Sequence, residues 1–257
     1  LTFTYALSTT STGAFYQVAG EKELDVSAGR PVQPLKSYNV HQLNTIAHGV
    51  LMLGGSFTDV PDFDPVVSRI VTDQVNIPEP AYPTLEWYPA EVGSINRFLA
   101  IDGQSRERLV VVPGQYRAAS STAPTGTERL YTSLDFVVYR APFAATDFIA
   151  PNIWQTDAVS TTTRLIFRVR ANDDSGSIAR VVMLYRGASS NQWLSVDLAY
   201  DPISGQAVGS APAIQGPIEY FPQAVDPDGN VSLALDHGAP FTQVAIGQSV
   251  YLPLIRR

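Results

Sequence analysis

Three aspartates in the run FTDVPDFDP, Asp59, Asp62 and Asp64, are the residues whose type and spacing come nearest to holding a hard cation. Calcium takes about six to eight oxygen ligands, and its commonest loop spaces them over roughly twelve residues. The three aspartates do not have that spacing. Pro61 and Pro65 beside them favour a solvated turn, and both readings stay open. Asp226, Asp228 and Asn230 in DPDGN look like the start of a calcium loop. Counting from Asp226, however, the sixth residue is Val231 where the loop needs glycine, and the twelfth is His237 where it needs glutamate. A β-turn is the plainer reading. Asp173 and Asp174 read the same way.

The histidines are His41, His48 and His237, and none stands in an H-x-E or H-E-x-x-H pattern. His41 and His48 are seven apart, which places them on one face only in a helix. Each reads as a satisfied core or surface histidine. There is no cysteine, so a thiolate metal site, a disulfide and a cysteine nucleophile are all excluded. No G-x-S-x-G elbow and no phosphate-binding glycine loop occurs. A carboxylate pair meeting in a folded cleft stays open. The expectation is a non-enzyme, with no catalytic, cofactor or metal residue assigned. Trp87, Trp154 and Trp193, with twelve tyrosines, allow a carbohydrate platform; the alternative is that they fill cores and seams. Trp193 lies in an expected strand and reads as core, and Trp154 reads as a wedge between two domains.

The balance of charge narrows the partners. The chain has 257 residues, a net charge of −7, 45% hydrophobic and 16% charged residues. That hydrophobic share supports a packed core and argues against disorder. Lys22 and Lys36 are the only lysines and the arginines are scattered. Nucleic-acid binding and a polybasic membrane anchor both need clustered cations, so neither is expected. No apolar run approaches the roughly 18 residues of a spanning helix, and no membrane insertion is expected. A composition rich in Thr, Ser, Pro and Gly and poor in Lys suits a bacterial extracellular or cell-surface protein. The chain opens at Leu1, without methionine or signal peptide, and reads as a fragment of a longer product.

The elements that must position these residues are strands. In TRLIFRVRANDDSGSIARVVMLY (163–185), Leu165, Phe167, Val169 and Ala171 alternate with Arg164, Ile166, Arg168 and Arg170. Period two means one apolar face and one mostly charged. Asn172 to Gly176 supplies turn chemistry, and Ile178 to Tyr185 is a second apolar run. The expectation is a β-hairpin with one face on a core and the other in water. Upstream, LTFTYAL and GAFYQV read as two short strands. The segment 42–56 reads as strand, 57–65 as loop, PVVSRIV as strand, and 74–83, with Pro78, Pro80 and Pro83, as an irregular crossing. In the second half the expected strands are 163–171, 178–186, 192–200, 217–225, 230–236 and 242–254. Turn signals every 8–12 residues or so, with no long helical pattern, favour an all-β fold. Residues 141–152, APFAATDFIAPN, read as a boundary between two β-sandwich domains in series, 1–145 and 146–257.

Two resemblances add to this reading. Residues 147–257 resemble immunoglobulin-like and fibronectin-type-III-like modules of large bacterial surface proteins. The matches are Asp173, Ser175, Gly176 and Ile178, then Val182, Leu184 and Tyr185, then Tyr220, Ala224, Asp226, Gly229 and Asn230. Ser177 is one residue extra, and Pro222 replaces an ordinary strand residue, implying an edge or a bulge there. More faintly, residues 28–140 resemble the β-sandwich propeptide of gingipain-type cysteine peptidases, through Gly29, Pro31 and Pro34, then Pro113, Gln115 and Tyr116, then Leu130 to Tyr139. The resemblances imply an immunoglobulin-like second domain and a module of secreted, peptidase-associated architecture. The expected function is a non-catalytic stalk, spacer or interaction module. Its expected partners are neighbouring domains of a longer chain or another surface protein. A peptidase accessory or propeptide-like region, and a carbohydrate-binding module that takes a glycan, are the alternatives.

Overall fold

The computed structural model describes residues 1–69 and 82–243. Among the described residues the chain is all-β, with no helix. The first half holds β1 (Tyr5–Thr10), β2 (Gly13–Val18), β3 (Leu24–Asp25), β4 (Gln33–Pro34), β5 (Lys36–Asn39), β6 (Thr45–Phe63), β7 (Gly93–Leu99), β8 (Ser105–Val111), β9 (Gly114–Ala118) and β10 (Gly126–Pro142). The second holds β11 (Asn152–Ser160), β12 (Arg164–Asn172), β13 (Arg180–Gly187), β14 (Gln192–Asp201), β15 (Gln206–Pro212), β16 (Ile218–Val225), β17 (Val231–Leu233) and β18 (Phe241–Gln243). The expected strand 242–254 and the crossing 74–83 lie mostly outside the described residues, as does the end of PVVSRIV.

The first half is built on β6 and β10, antiparallel partners from Phe63–Gly126 to Thr45–Pro142. Their register shifts four times. Each shift leaves an extra residue that bends the ribbon and increases its twist. Two of the extra residues on β6 are His48 and Leu53, which have no opposite number on β10. The segment 57–65, expected as a loop, is instead the end of β6. Phe57 and Phe63 are buried and draw it onto the core. Arg129 faces Asp59 across the pair and bonds its carboxylate twice, Nε to Oδ1 at 2.8 Å and Nη2 to Oδ2 at 2.9 Å. Pro61 falls in the bulge between Val60 and Phe63, where no ladder donor is required.

In the second half β12 carries its expected alternation: Leu165, Phe167, Val169 and Ala171 are buried, and Arg164, Arg168 and Arg170 are exposed. The hairpin is not formed. β12 pairs with β11 and β15, whereas β13 pairs with β14 and β16. The turn at 172–176 is real, with Gly176 at φ 75° and its N–H donated to Asp173 O. It carries the chain across to the facing sheet. Phe167 of β12 meets Tyr185 of β13 and Tyr220 of β16 at ring separations of 5.4 and 5.9 Å, spanning the core between layers. β14 links the layers, pairing with β13 through Leu194–Leu198 and with β15 through Ala199–Asp201.

β13 is also not wet on one side. Val181, Met183 and Tyr185 face the second-half core, and Val182 and Leu184 join the first-half core beside Leu51, Met52 and Leu134. Both its faces are apolar, so both are covered. Trp193 and Val225 reach into the same first-half core, and Trp193 of β14 pairs with Gly55 of β6.

Pro222 sits in neither an edge strand nor a bulge. β16 pairs with β13 on one side in unbroken register. On the other side its neighbour changes from β17, opposite 223–225, to β18, opposite 218–220. Pro222 O accepts Ala234 N on that side. The missing proline N–H therefore points at the gap between β17 and β18, outside either ladder.

Buried polar groups cluster in the first half. Glu107 takes Ala47 N at 2.9 Å and pairs with Arg140 at 3.3 Å. Among the described residues, Glu128, 1% exposed, has no ion-pair partner; Gln33 Nε2 donates to it at 3.2 Å, and Gln33 Oε1 has no donor. Burial raises the Glu128 carboxyl well above the ordinary carboxylate range, against a smaller lowering by Gln33. A protonated Glu128 can donate to the waiting Gln33 Oε1, which closes a two-bond acid–amide pair.

Candidate functional site: a cavity between β6, β7 and β17

Beside the His48 bulge, β6 walls a cavity of about 410 Å³. Volumes of this size hold small-molecule ligands. One wall is β6, with His48, Val50 and Met52, and a second is β7, with Gly93, Ile95 and Arg97. The residues of β17 close it from the second half. Two glycines let the walls approach. A Cβ on Gly49 would stand 2.4 Å from Val231 Cγ2, and one on Gly93 would stand 2.9 Å from the Phe136 ring. Neither fits without a shift.

At the far end, guanidinium groups alternate with aromatic rings. Arg117 lies 4.4 Å from the Trp87 ring centre, and Arg129 lies 4.1 Å from Trp87 and 3.8 Å from Phe57. Arg186 follows at 5.1 Å from Phe57 and 5.3 Å from Trp193. These contacts join β9, β10 and β6 to β13 and β14. Desolvated cation–π contacts are worth about 2 kcal/mol each. The buried charges are compensated. Arg129 holds Asp59, and Arg186 holds Glu219 at 2.6 Å and donates to the carbonyls of Ala188 and Ser190. Burial pulls the Arg186 guanidinium below its ordinary value, with Glu219 opposing.

Several polar side chains on the walls serve the protein itself. Gln223 of β16 accepts Met52 N at 3.0 Å and donates to Met52 O at 2.7 Å, so it acts as a strand beside the Leu53 bulge. Gln115 donates to Pro89 O at 2.7 Å and accepts Tyr131 OH at 3.1 Å. Both ring nitrogens of His48 and the hydroxyl of Ser232 are buried without a partner, and the Trp193 indole lies beside the Tyr131 hydroxyl. Burial raises the carboxyl of Glu91, also on the wall. The arrangement is a concave cavity of mixed apolar and polar lining, of a size suited to binding.

The aspartates picked out by spacing do not converge here. Asp59 is tied to Arg129, Asp62 is exposed in the β6 bulge at φ 55°, and Asp64 is exposed while its carbonyl takes Ala14 N at 2.8 Å. Asp226 is buried; its carboxylate takes Asn230 N at 2.8 Å and Asn230 Nδ2 at 2.7 Å, and its carbonyl takes Gly229 N, closing a β-turn. Among the described residues, one acidic group has the ligand spacing of a metal site: Asp147 with Asp173 and Asp174, within 4.8 Å. Asp173 uses one oxygen on Ser175, and its other oxygen has no partner.

His41 is exposed, and His237 is exposed and bonded to Asp236 at 2.7 Å. Trp193 is core, as expected. Trp154 is not a wedge: it is 55% exposed, with Arg170 5.4 Å from its ring. The cavity and the stack escaped the sequence reading. The available signal was a charged residue inside an otherwise apolar strand, Arg129 before LYTSL and Arg186 after VVMLY, since such a residue must be paired if buried.

No protein-family model and no curated protein matches the chain.

Proposed function

We propose that the chain is a non-catalytic interaction module of a bacterial extracellular or cell-surface protein, and that the cavity is where it binds. The carrying observation is the cavity itself. Both halves wall it, and Gln115 and Gln223 brace its walls. The second half reads as immunoglobulin-like, and its strand order supports this: β11-β12-β15 faces β14-β13-β16-β17, as the two sheets of that sandwich do. The resemblance of residues 28–140 to a peptidase propeptide keeps a peptidase-associated setting as the alternative context. A glycan reading loses its first candidate platform, because two guanidinium groups already lie over the Trp87 ring. It passes to the exposed Trp154.

The test is a binding screen of the whole chain by thermal shift and glycan array, run beside turnover assays with peptide, ester and glycoside substrates. The expected result is saturable binding that Ile95→Trp blocks, with no turnover. Turnover lost on changing a cavity residue would overturn the proposal. Glycan binding lost in Trp154→Ala would move the site to β11.

A further inference from the structure

We propose that the outer face of the sheet β11-β12-β15 binds an acidic linear polysaccharide, its anionic groups on Arg164, Arg168 and Arg170 and one sugar ring on Trp154. This surface is separate from the cavity and does not depend on it.

The cations come from the alternation of β12. Residues two apart on a strand share a face and lie about 7 Å apart. Leu165, Phe167 and Val169 turn inward, so Arg164, Arg168 and Arg170 stand in one outward column, with Ile166 between the first two. The column presents guanidinium groups over roughly 20 Å. Little neutralises them. Among the described residues, Arg168 alone of the three has a carboxylate partner, Asp157 at 3.3 Å, and both are exposed. An exposed pair of that kind is worth about 1 kcal/mol or less, so an incoming anion can replace it. Arg164 donates to Ser210 Oγ at 3.0 Å, and Arg170 lies over the Trp154 ring. Asp201 stands opposite Gln206, two strands from Arg170, and its carboxylate accepts Ile203 N and Ser204 Oγ of its own turn.

The ring comes from a bulge. Ile153 pairs with Ala171 and Gln155 with Arg170, which leaves Trp154 as the extra residue of β11. A bulge re-aims the side chain it adds. Ile153 packs on the second-half core, whereas Trp154 is 55% exposed beside Arg170, at the end of the column. The C–H face of a sugar ring is flat and weakly polar, and it can cover an indole while its hydroxyls stay hydrogen-bonded. Gln155 and Gln206 flank Arg170 on its two sides, and an amide both donates and accepts, as hydroxyls require.

The combination selects the partner. Guanidinium forks match carboxylates and other oxyanions. The net charge of −7 repels polyanions in general, but charges beyond about 10 Å are largely screened at 0.1 M salt, so the local column decides. Val159, Ile166 and Val208 make only a small apolar strip on this face, short of the apolar centre of a protein interface. Single-stranded nucleic acid stacks its bases on successive aromatic rings. Among the described residues this face offers Trp154 alone.

The probe is fluorescein-labelled polygalacturonate, with labelled dextran sulfate beside it, titrated with the whole chain by fluorescence anisotropy at 50 and 200 mM NaCl. The expected result is saturable binding of at least one polymer that neutral dextran does not compete and that weakens as salt rises. The stronger of the two names carboxylate or sulfate as the anion. Arg164→Gln and Arg170→Gln each weaken binding about fivefold at 50 mM NaCl and reduce its salt dependence. Trp154→Ala weakens it about fivefold and leaves the salt dependence unchanged. Lys22→Gln removes the same charge from an exposed position in the first half and leaves binding unchanged. Equal weakening by Lys22→Gln, or none in Trp154→Ala, would reduce the attraction to diffuse charge and overturn the proposal. Displacement by poly-glutamate or poly-dT as effective as by the polysaccharide would overturn the glycan class in favour of an acidic protein or a nucleic acid. Loss of binding in an Ile95→Trp variant that keeps its unfolding transition would put the polymer in the cavity, overturning this proposal and leaving the cavity reading standing. Binding on this face with nothing in the cavity would do the reverse. No binding of either polymer at 50 mM NaCl would overturn the proposal outright.

Discussion

Glu128→Gln should stabilise the protein at neutral pH and flatten its dependence on pH. Glu128 is 1% exposed and, among the described residues, its side chain has one bond, from Gln33. Burial holds its carboxyl well above the ordinary value of 4.5. In the folded chain it therefore keeps its proton while the unfolded chain loses it. The folded state then binds more protons, so stability is fully present below about pH 4.5 and falls as pH rises towards the folded pKa. Each pH unit inside that window removes about 1.4 kcal/mol. Glutamine has nearly the same shape, accepts from Gln33 Nε2 and donates to Gln33 Oε1, and has no charge to desolvate. The stability advantage of the variant should grow by up to about 1.4 kcal/mol between pH 5.5 and 6.5. Urea unfolding followed by tryptophan fluorescence at pH 5.5, 6.5 and 7.5 reads this directly. The difference between the two proteins isolates Glu128 from the other titrating groups. A gap that stays constant across the three values, or a variant less stable at all of them, refutes the reasoning.

Asp59→Ala leaves the buried Arg129 guanidinium uncompensated and should cost about 3–5 kcal/mol, measured by urea unfolding at low and high salt. Gly49→Ala drives a Cβ into Val231 and should cost about 1–3 kcal/mol. Hydrogen exchange should rise first at Val231 to Leu233. Trp154→Ala removes an exposed ring and should stay within about 0.5 kcal/mol of the parent; a larger loss on thermal unfolding would show a packing role that its exposure denies.

The strands of the all-β fold were legible where side chains are large and alternate, and least so where they are small. β12 could be read residue by residue because Leu165, Phe167 and Val169 alternate with arginines. β15, where Val208 is the one large side chain between Ala207 and Ala211, could not. A Cβ on Gly209 would stand 2.5 Å from Leu198 Cδ2 and 2.9 Å from Asp197 O, so smallness there is a packing demand that propensity reads as weakness. Polar β11 was missed for a related reason: its strand character comes from pairing with β12. The hairpin failed because turn chemistry at 172–176 fixes a reversal but not which strand lies beside which. The cavity was illegible because its walls come from residues far apart in the chain, and because bulges at His48 and Leu53 break the alternation that sequence reading relies on. The aspartates misled for the opposite reason. They are close in sequence, but Asp59 is drawn to an arginine 70 positions away.

The covering of β13 on both sides constrains how this chain can be inherited or shortened. A truncation at 141–152 would leave Val182, Leu184 and Trp193 without their cover and present water with a sticky stripe. Gene shuffling that moved only the C-terminal portion would have to supply a substitute lid, or accept clumping. The pair travels as a unit.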